Sequence, residues 1–411
     1  MSTIEIPLNI PNVKVVKVEK VGNRELLIFV ESTVKNTCCR ECGKNITKSN
    51  GSGRMLRLRH LAVFGLEVYI CIRPVRYQCI DCDNNPTTTQ TLPWYNQRSP
   101  HTKVYENHVL MELINSTVED VSIRESLGYE AVMGIIERHI KPEVNWQDIE
   151  RIDTIGIDEI SLKKGHKDFV VIVTALTDGK ITVLAVLKDR KKVTVKDFFL
   201  SIPKRLRKSV EAICTDMYDG FVNAAKEVFG RKIVVVDRFH VAKLYRKGLE
   251  TLRKKELKRL KEELSEDEYK KLKGVMWLLR KSKADFTEEE TATLKYLFEL
   301  SPSLESAYDL CKQLTDIFDE EISKGKAKLK IKKWKKKVKK SGLTCFNPFL
   351  KTLDNWMEEI TNYFIDRQSS GFVEGLNNKI KVIKRQCYGI LNVKHLFQRL
   401  YLDVEGYALF A

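Results

Sequence analysis

Along residues 1–95 apolar positions recur at strand-like intervals, as in "ELLIFVES" and "LEVYICIRPVRYQC", with turn-forming residues between the runs. Over 96–147 the period becomes helical. In "STVEDVSIRESLGYEAVMGIIERHI" (116–140), Val118, Val121 and Leu127 make an apolar stripe, Gly128 supplies a turn, and a second helix is predicted over Tyr129 to His139. Ser116 or Thr117 is placed to cap the first helix, with Asp120 completing a capping box. Residues 148–240 alternate apolar strands with short helices. "IDTIGIDEISL" is one strand, and "DFVVIVTALTDGKITVLAVLK" is two, joined by the hairpin signal Asp178-Gly179. "TVKDFFLSIP" is a short helix, "VEAICTDMYDGF" a strand ending on an acid, "NAAKEVFG" a helix closed by Gly230, and "KIVVVDRFH" a fifth strand. Residues 241–365 are helical and rich in Lys and Glu, with Leu249, Leu252, Leu257, Leu260 and Leu264 on a packing stripe. Residues 366–411 resume a mixed pattern, and no repeat of solenoid period is present.

The order β-β-β-α-β-α-β over 148–240 matches an RNase H-like fold. Charge adds a partner class. Lys and Arg outnumber Asp and Glu by 72 to 55, a formal +17, and a field of that sign attracts polyanions, nucleic acid first. No apolar run reaches the ~18 residues of a membrane span. The start, "MSTIEIPLNIPNVKVVKVEK", lacks the order of a signal peptide, so a cytoplasmic protein is expected. Thiols stay reduced there, and the ten cysteines read as metal ligands or core residues.

Two C-x-x-C pairs, Cys39 with Cys42 and Cys79 with Cys82, can each span one edge of a tetrahedral site. Together they predict a structural Zn²⁺ held by four thiolates, with a β-ribbon between the knuckles. Cys38 adjoins Cys39 and competes with it as ligand. Cys71 reads as core, and Cys214, Cys311, Cys345 and Cys387 as isolated, buried or inert positions.

Metal-dependent phosphoryl transfer on such a sheet needs an acid on the first strand, a second at the end of the fourth and a third on a later helix. Asp158 lies in an otherwise apolar first strand, where an unpaired buried charge is costly. Asp216 and Asp237 end the fourth and fifth strands and compete for the second place, while Asp219 reads as a helix cap. In "RQSSGFVEGLNNKIKVIKRQCYGI", Ser369 or Ser370 can cap a helix on which Glu374, Asn378, Lys381 and Arg385 share one face. That face offers an acid to a metal and cations to phosphates.

The chain resembles the ISL-three family of insertion-sequence transposases. The matching stretches are the paired cysteines, "GIDEISLKKGHKDFVVIV", "DMYDGF", "VVVDRFHVAK" and "SGFVEGLNNKIKVIKRQCYG", whose order covers nearly the whole chain. The resemblance implies an Asp-Asp-Glu site with its first acid at Asp158 and its last at Glu374. Related transposases with a helical insertion carry Cys or Asp, two residues, then His between the second and third acids. Asp237-Arg238-Phe239-His240 fits that pattern, which assigns Asp216 as the second acid and gives Asp237 and His240 supporting roles. Two Mg²⁺ (or Mn²⁺) ions are then expected at Asp158, Asp216 and Glu374. Hydrolysis would leave a 3′-hydroxyl that attacks a second phosphodiester.

The implied partners are double-stranded DNA, as terminal inverted repeats and target, and a second copy of the chain on paired ends. The alternatives are a DNA-binding regulator without catalysis and a nuclease without strand transfer. "KGKAKLKIKKWKKKVKK" (324–340) contains no acid, so Lys333, Lys335 and Lys336 are candidate phosphate contacts. Trp334 among them either stacks on a base or packs on the protein. Arg138, His139, Asn378, Lys381 and Arg385 complete the candidate DNA contacts.

The expected architecture is multidomain α+β. It comprises a β-rich zinc-binding domain (1–95), a helix-turn-helix (96–147), an RNase H-like α/β catalytic core in two parts (148–240 and 366–411), and an all-α insertion with the lysine-rich run (241–365).

Overall fold

"ELLIFVES" forms one strand from end to end, but the second N-terminal run is cut by Pro74, which has no N–H to give a ladder. The computed structural model describes residues 7–163, 167–230, 232–281, 285–367, 371–386 and 392–411. Within these, the side chains at 162–163, 167–168, 371–374, 377, 384 and 386 are outside the description. The chain forms two compact units, Met1–Lys141 with Tyr401–Ala411, and Pro142–Leu400.

The first unit opens with nine strands: β1 (Val13–Val21), β2 (Glu25–Ser32), β3 (Thr37–Cys38), β4 (Asn45–Ile46), β5 (Ser49–Ser52), β6 (Leu56–Val63), β7 (Leu66–Ile72), β8 (Val75–Gln78) and β9 (Thr87–Thr89). β1-β2-β7-β6 make one sheet, with β2 and β7 parallel, while β8 on the far side of Pro74 joins β5 and β9. Val30, Leu58, Val68, Ile70 and Trp94 fill the core of the larger sheet. Three helices follow, α1 (Lys103–Leu113), α2 (Val118–Glu125) and α3 (Tyr129–His139). Thr117 caps α2 by accepting from Asp120 N at 2.9 Å, and α3 has the limits the sequence predicts. Leu110, Leu113, Val121, Val132 and Ile136 pack together with Leu402, so the last residues of the chain complete this core. Asn115 N donates to Asp403 Oδ1 at 2.8 Å within the same unit.

The second unit carries β10 (Thr154–Lys163), β11 (Lys167–Thr177), β12 (Lys180–Leu187), α4 (Lys192–Ser201), α5 (Lys204–Ser209), β13 (Ala212–Thr215), α6 (Asp219–Phe229) and β14 (Ile233–Val236). The sheet order is β12-β11-β10-β13-β14, with β13 and β14 parallel to β10 and the other pairs antiparallel. Asp178 and Gly179 both have positive φ, 49° and 78°, as a two-residue hairpin turn of the primed kind requires. The short helix α5 is additional to the expected order. Asp219 is not a cap: it lies inside α6, and Tyr218 holds the N-cap position without a side-chain bond.

The rest of the unit is helical: α7 (Arg238–Glu263), α8 (Glu266–Lys270), α9 (Val275–Leu278), α10 (Glu288–Leu300), α11 (Pro302–Asp319), α12 (Lys324–Ser341), α13 (Asn347–Asp366), α14 (Gly371–Gln386) and α15 (Val393–Phe410), whose residues from Tyr401 belong to the first unit. Leu249 and Leu260 of the expected stripe are buried, and Leu252, Leu257 and Leu264 pack against the same cluster. Among the described residues no helix is long and apolar enough to cross a membrane.

In α12 the lysines surround a buried seam of Ala327, Ile331, Trp334 and Val338. Trp334 donates from Nε1 to Leu310 O at 2.7 Å and meets Phe346 and Phe349 edge-on. Of its two readings packing on the protein is the one found, and Trp334 leaves the candidate DNA contacts: the ring is 2% exposed and inaccessible to DNA. Trp334→Phe is expected to lower the unfolding free energy by about 1 kcal/mol, one buried hydrogen bond, with DNA affinity unchanged. Urea denaturation and anisotropy titrations check the two halves.

Candidate functional site

The acid row follows from strand register. Gly156 on β10 lies opposite Cys214 on β13, and Thr215 lies opposite Val236 on β14. Carried on by two residues the first pairing sets Asp158 against Asp216, and carried on by one the second sets Asp216 against Asp237. Three acids therefore stand side by side across three adjacent strands, two of them just past the strands' carboxyl ends, where open α/β sheets gather their functional groups.

Their surroundings differ. Asp158 accepts from Glu159 N at 2.7 Å. Asp216 has its Oδ1 enclosed, with no hydrogen-bond partner among the described residues. Burial, then the charge of Asp158, pushes the Asp216 carboxyl up to about 7, against the opposing pull of His240 and Arg190. Asp237 is buried and caps α7 by accepting from Phe239 N at 3.1 Å. His240, one turn along α7, has its Nδ1 3.9 Å from Asp237 Oδ2. Arg190 donates to Glu159 at 3.1 and 3.4 Å and lies over the rings of Phe169 and Tyr218.

α14 packs against β10, the strand of Asp158. Leu376, Ile380 and Ile383 are buried, and Asn378, Lys381 and Arg385 are exposed. Glu374 belongs to this helix, but its side chain, like residues Ser369, Ser370 and Cys387, lies outside the described residues. A crowded pair of carboxylates, one driven toward neutrality and holding an unpartnered oxygen, is a donor set that a hard divalent cation relieves.

In the first unit Cys39, Cys42, Cys79 and Cys82 bring their sulfurs within 4.8 Å of one another. The contacts Cys39–Cys82, Cys42–Cys79 and Cys79–Cys82 measure 4.0, 3.8 and 3.7 Å. Zn–S bonds of about 2.3 Å give tetrahedral edges of about 3.8 Å, so the spacing suits zinc and is far too long for a disulfide. Backbone N–H groups of Cys42 and Glu41 pull the Cys39 thiol down to about 7, toward the thiolate that a metal binds. Cys38 is exposed and outside the cluster. Cys71, Cys214 and Cys311 are buried.

Arg138 and His139 converge on Glu106, a fully buried acid of α1. Arg138 donates to Glu106 Oε1 at 2.5 and 3.0 Å, and His139 Nε2 lies 2.7 Å from Oε2. Burial alone would raise Glu106, yet His101, 3.6 Å away, and bonds from His139, Ser99 and Arg138 hold it far below the ordinary carboxylate range. Of the lysine run, Lys333 and Lys336 are exposed while Lys335 pairs with Asp354. Sequence reasoning missed Glu106 and Arg190, because their partners come from separate elements and follow no period.

A family model described as a transposase, of the ISL3 group, matches residues 155–400. The chain is 24% identical over 386 residues to the transposase for insertion sequence element IS1001 of Bordetella parapertussis, covering 94% of this chain and 93% of that one. It is 22% identical over 395 residues to the transposase for insertion sequence element IS1557 of Mycobacterium tuberculosis, covering 90% and 86%. The family match spans the acid row, the helical segment and α14 together, and the chain belongs to the ISL3 family of insertion-sequence transposases.

Proposed function

We propose that the protein binds the terminal inverted repeats of its own insertion sequence. At Asp158, Asp216 and Glu374 it catalyses metal-dependent DNA cleavage and strand transfer on an RNase H-like core. The observation that carries this reading is the crowding of Asp158 and Asp216 on neighbouring strands, with the helix of Glu374 packed against the strand of Asp158. Bound Mg²⁺ or Mn²⁺ would supply a water of lowered pKa and neutralise charge on the departing oxygen. The chain's residues do the positioning. Asp158 and Asp216 present carboxylate oxygens from a rigid sheet, and Asp237 fixes the first turn of α7 and with it His240.

The first unit is the end-binding part: four thiolates hold Zn²⁺, and α2 and α3 act as a helix-turn-helix. Arg138 and His139 serve there by fixing the end of α3 through Glu106. Lys333 and Lys336, with Asn378, Lys381 and Arg385, take DNA phosphates in a salt-sensitive way. Two copies act together on paired ends.

Labelled DNA carrying the element's ends, incubated with Mg²⁺, tests the reading. Wild type and, more weakly, Asp237→Asn should give cleaved ends and joined products. Binding without cleavage favours the regulator, and cleavage without joining favours a nuclease. A dead Asp237→Asn beside an active Asp216→Asn moves the second ligand to Asp237.

A further inference from the structure

The second unit holds a cleft that none of the steps above uses. It lies along the early turns of α7 and α9, encloses about 410 Å³, and begins at Phe239, whose ring centroid is 5.8 Å from that of His240. A neighbouring cavity of about 450 Å³ shares Arg246, Leu249, Leu279 and Arg280 with it, so the two adjoin.

Its charge is concentrated on one stretch of helix. Lys243, Arg246 and Lys247 are exposed, sit three and four residues apart, and among the described residues are paired with no carboxylate. Arg253 and Arg280 differ, because Glu250 bonds Arg253 at 2.5 and 2.9 Å and lies 3.9 Å from Arg280. The cleft thus has three cations to offer an incoming anion. The remaining wall is apolar: Phe239 is 48% exposed, and Met276 and Leu279 stand beyond it. Trp277, 65% exposed, is adjacent, with the Arg280 guanidinium 5.8 Å from its ring centroid.

This mixture discriminates between nucleic-acid forms. A duplex presents phosphates and sugars while its base faces stay stacked inside, so exposed rings and an apolar wall add nothing to its binding. An unpaired strand offers both phosphates and base faces, and cations interleaved with aromatic faces bind both. A cavity of this size matches a small ligand such as a nucleotide. We infer that the cleft is a binding site for an unpaired DNA strand leading away from the acid row along α7. The inference rests on the proposed function for the origin of that strand, which cleavage at a DNA end releases.

Anisotropy titrations of the full chain, with a fluorescein-labelled single-stranded oligonucleotide and a duplex of equal length, test it across a salt series without Mg²⁺. Each lost phosphate contact reduces the slope of log K against log salt by about 0.7 for a single strand, so the triple variant Lys243→Ala, Arg246→Ala, Lys247→Ala should lose about 2. Phe239→Ala should weaken single-strand binding roughly tenfold without changing that slope, as loss of a stacked base does. Duplex binding should change little in Phe239→Ala and less than single-strand binding in the triple variant. An unchanged single-strand slope in a triple variant that melts like wild type overturns the site, as does an equal loss on duplex or a wild type that ignores single strands. The same preparations are assayed for Mg²⁺-dependent cleavage. Failure there counts against the proposed function, while the binding comparison still decides the cleft.

Discussion

Asp216→Asn is expected to abolish end cleavage while making the Mg²⁺-free protein more stable at neutral pH. The two effects share one cause. Burial and the charge of Asp158 raise the folded carboxyl to about 7 from an ordinary 3.8. Between those values the folded chain keeps a proton that the unfolded chain has lost. Stability therefore falls as pH rises through this window and stays reduced above it, by on the order of a few kcal/mol. Asn keeps the shape without the charge, so this decline should be absent from its stability over the same range. Added Mg²⁺ should stabilise wild type and leave the variant unmoved. Cleavage should drop by about a thousandfold, the scale seen when one group stabilising transition-state charge is removed. Thermal melts from pH 4 to 8 and a gel assay of end DNA provide the readouts. A variant less stable than wild type at pH 8 would mean that Asp216 is held by an attraction and not strained by a repulsion.

Cys79→Ser is expected to remove zinc and unfold the segment around it. Beyond the sulfurs, the cluster's apolar content is Ile46 and Tyr77, with Val75 packed against it. So small a core cannot order its own loops, and the binding energy of a structural zinc, about 10–16 kcal/mol in small domains at neutral pH, becomes folding energy. Mass spectrometry of the metal should find one zinc per chain in wild type and none in Cys79→Ser. Limited proteolysis should then cut between β3 and β9. Cys38→Ser is the control: the residue is exposed and outside the thiol cluster, so metal and protease resistance should be unaffected. Zinc retained by Cys79→Ser would overturn the assignment.

These effects trace back unevenly to the sequence. The hairpin at Asp178-Gly179 was legible because a primed turn demands positive φ at both residues, and few pairs supply it. The helix Tyr129–His139 was legible from its apolar period. The paired cysteines were legible because two short spacings meet one coordination geometry. Trp334 was legible in part: packing on the protein was one of its two readings, and Ala327, Ile331, Trp334 and Val338 recur at four, three and four, a period that the surrounding lysines mask. Glu106 could not be found this way: Ser99, Arg138 and His139 reach it from separate segments, and only the folded chain brings them together. Choosing Asp216 over Asp237 rested on resemblance, since both lie just past strand ends and spacing alone does not separate them.

The C-terminal segment bears on how this protein is made. Leu402 completes the packing of α1, α2 and α3, and Asp403 accepts from a backbone N–H 288 residues earlier. Those three helices leave the ribosome early in synthesis, but their core lacks its last wall until the final turns of α15 emerge. Closing so long a loop is slow, so the core of this unit should mature only once residues 401–410 have emerged. A gene copy interrupted before codon 401 would encode every strand and acid of the second unit and still leave the first unit open.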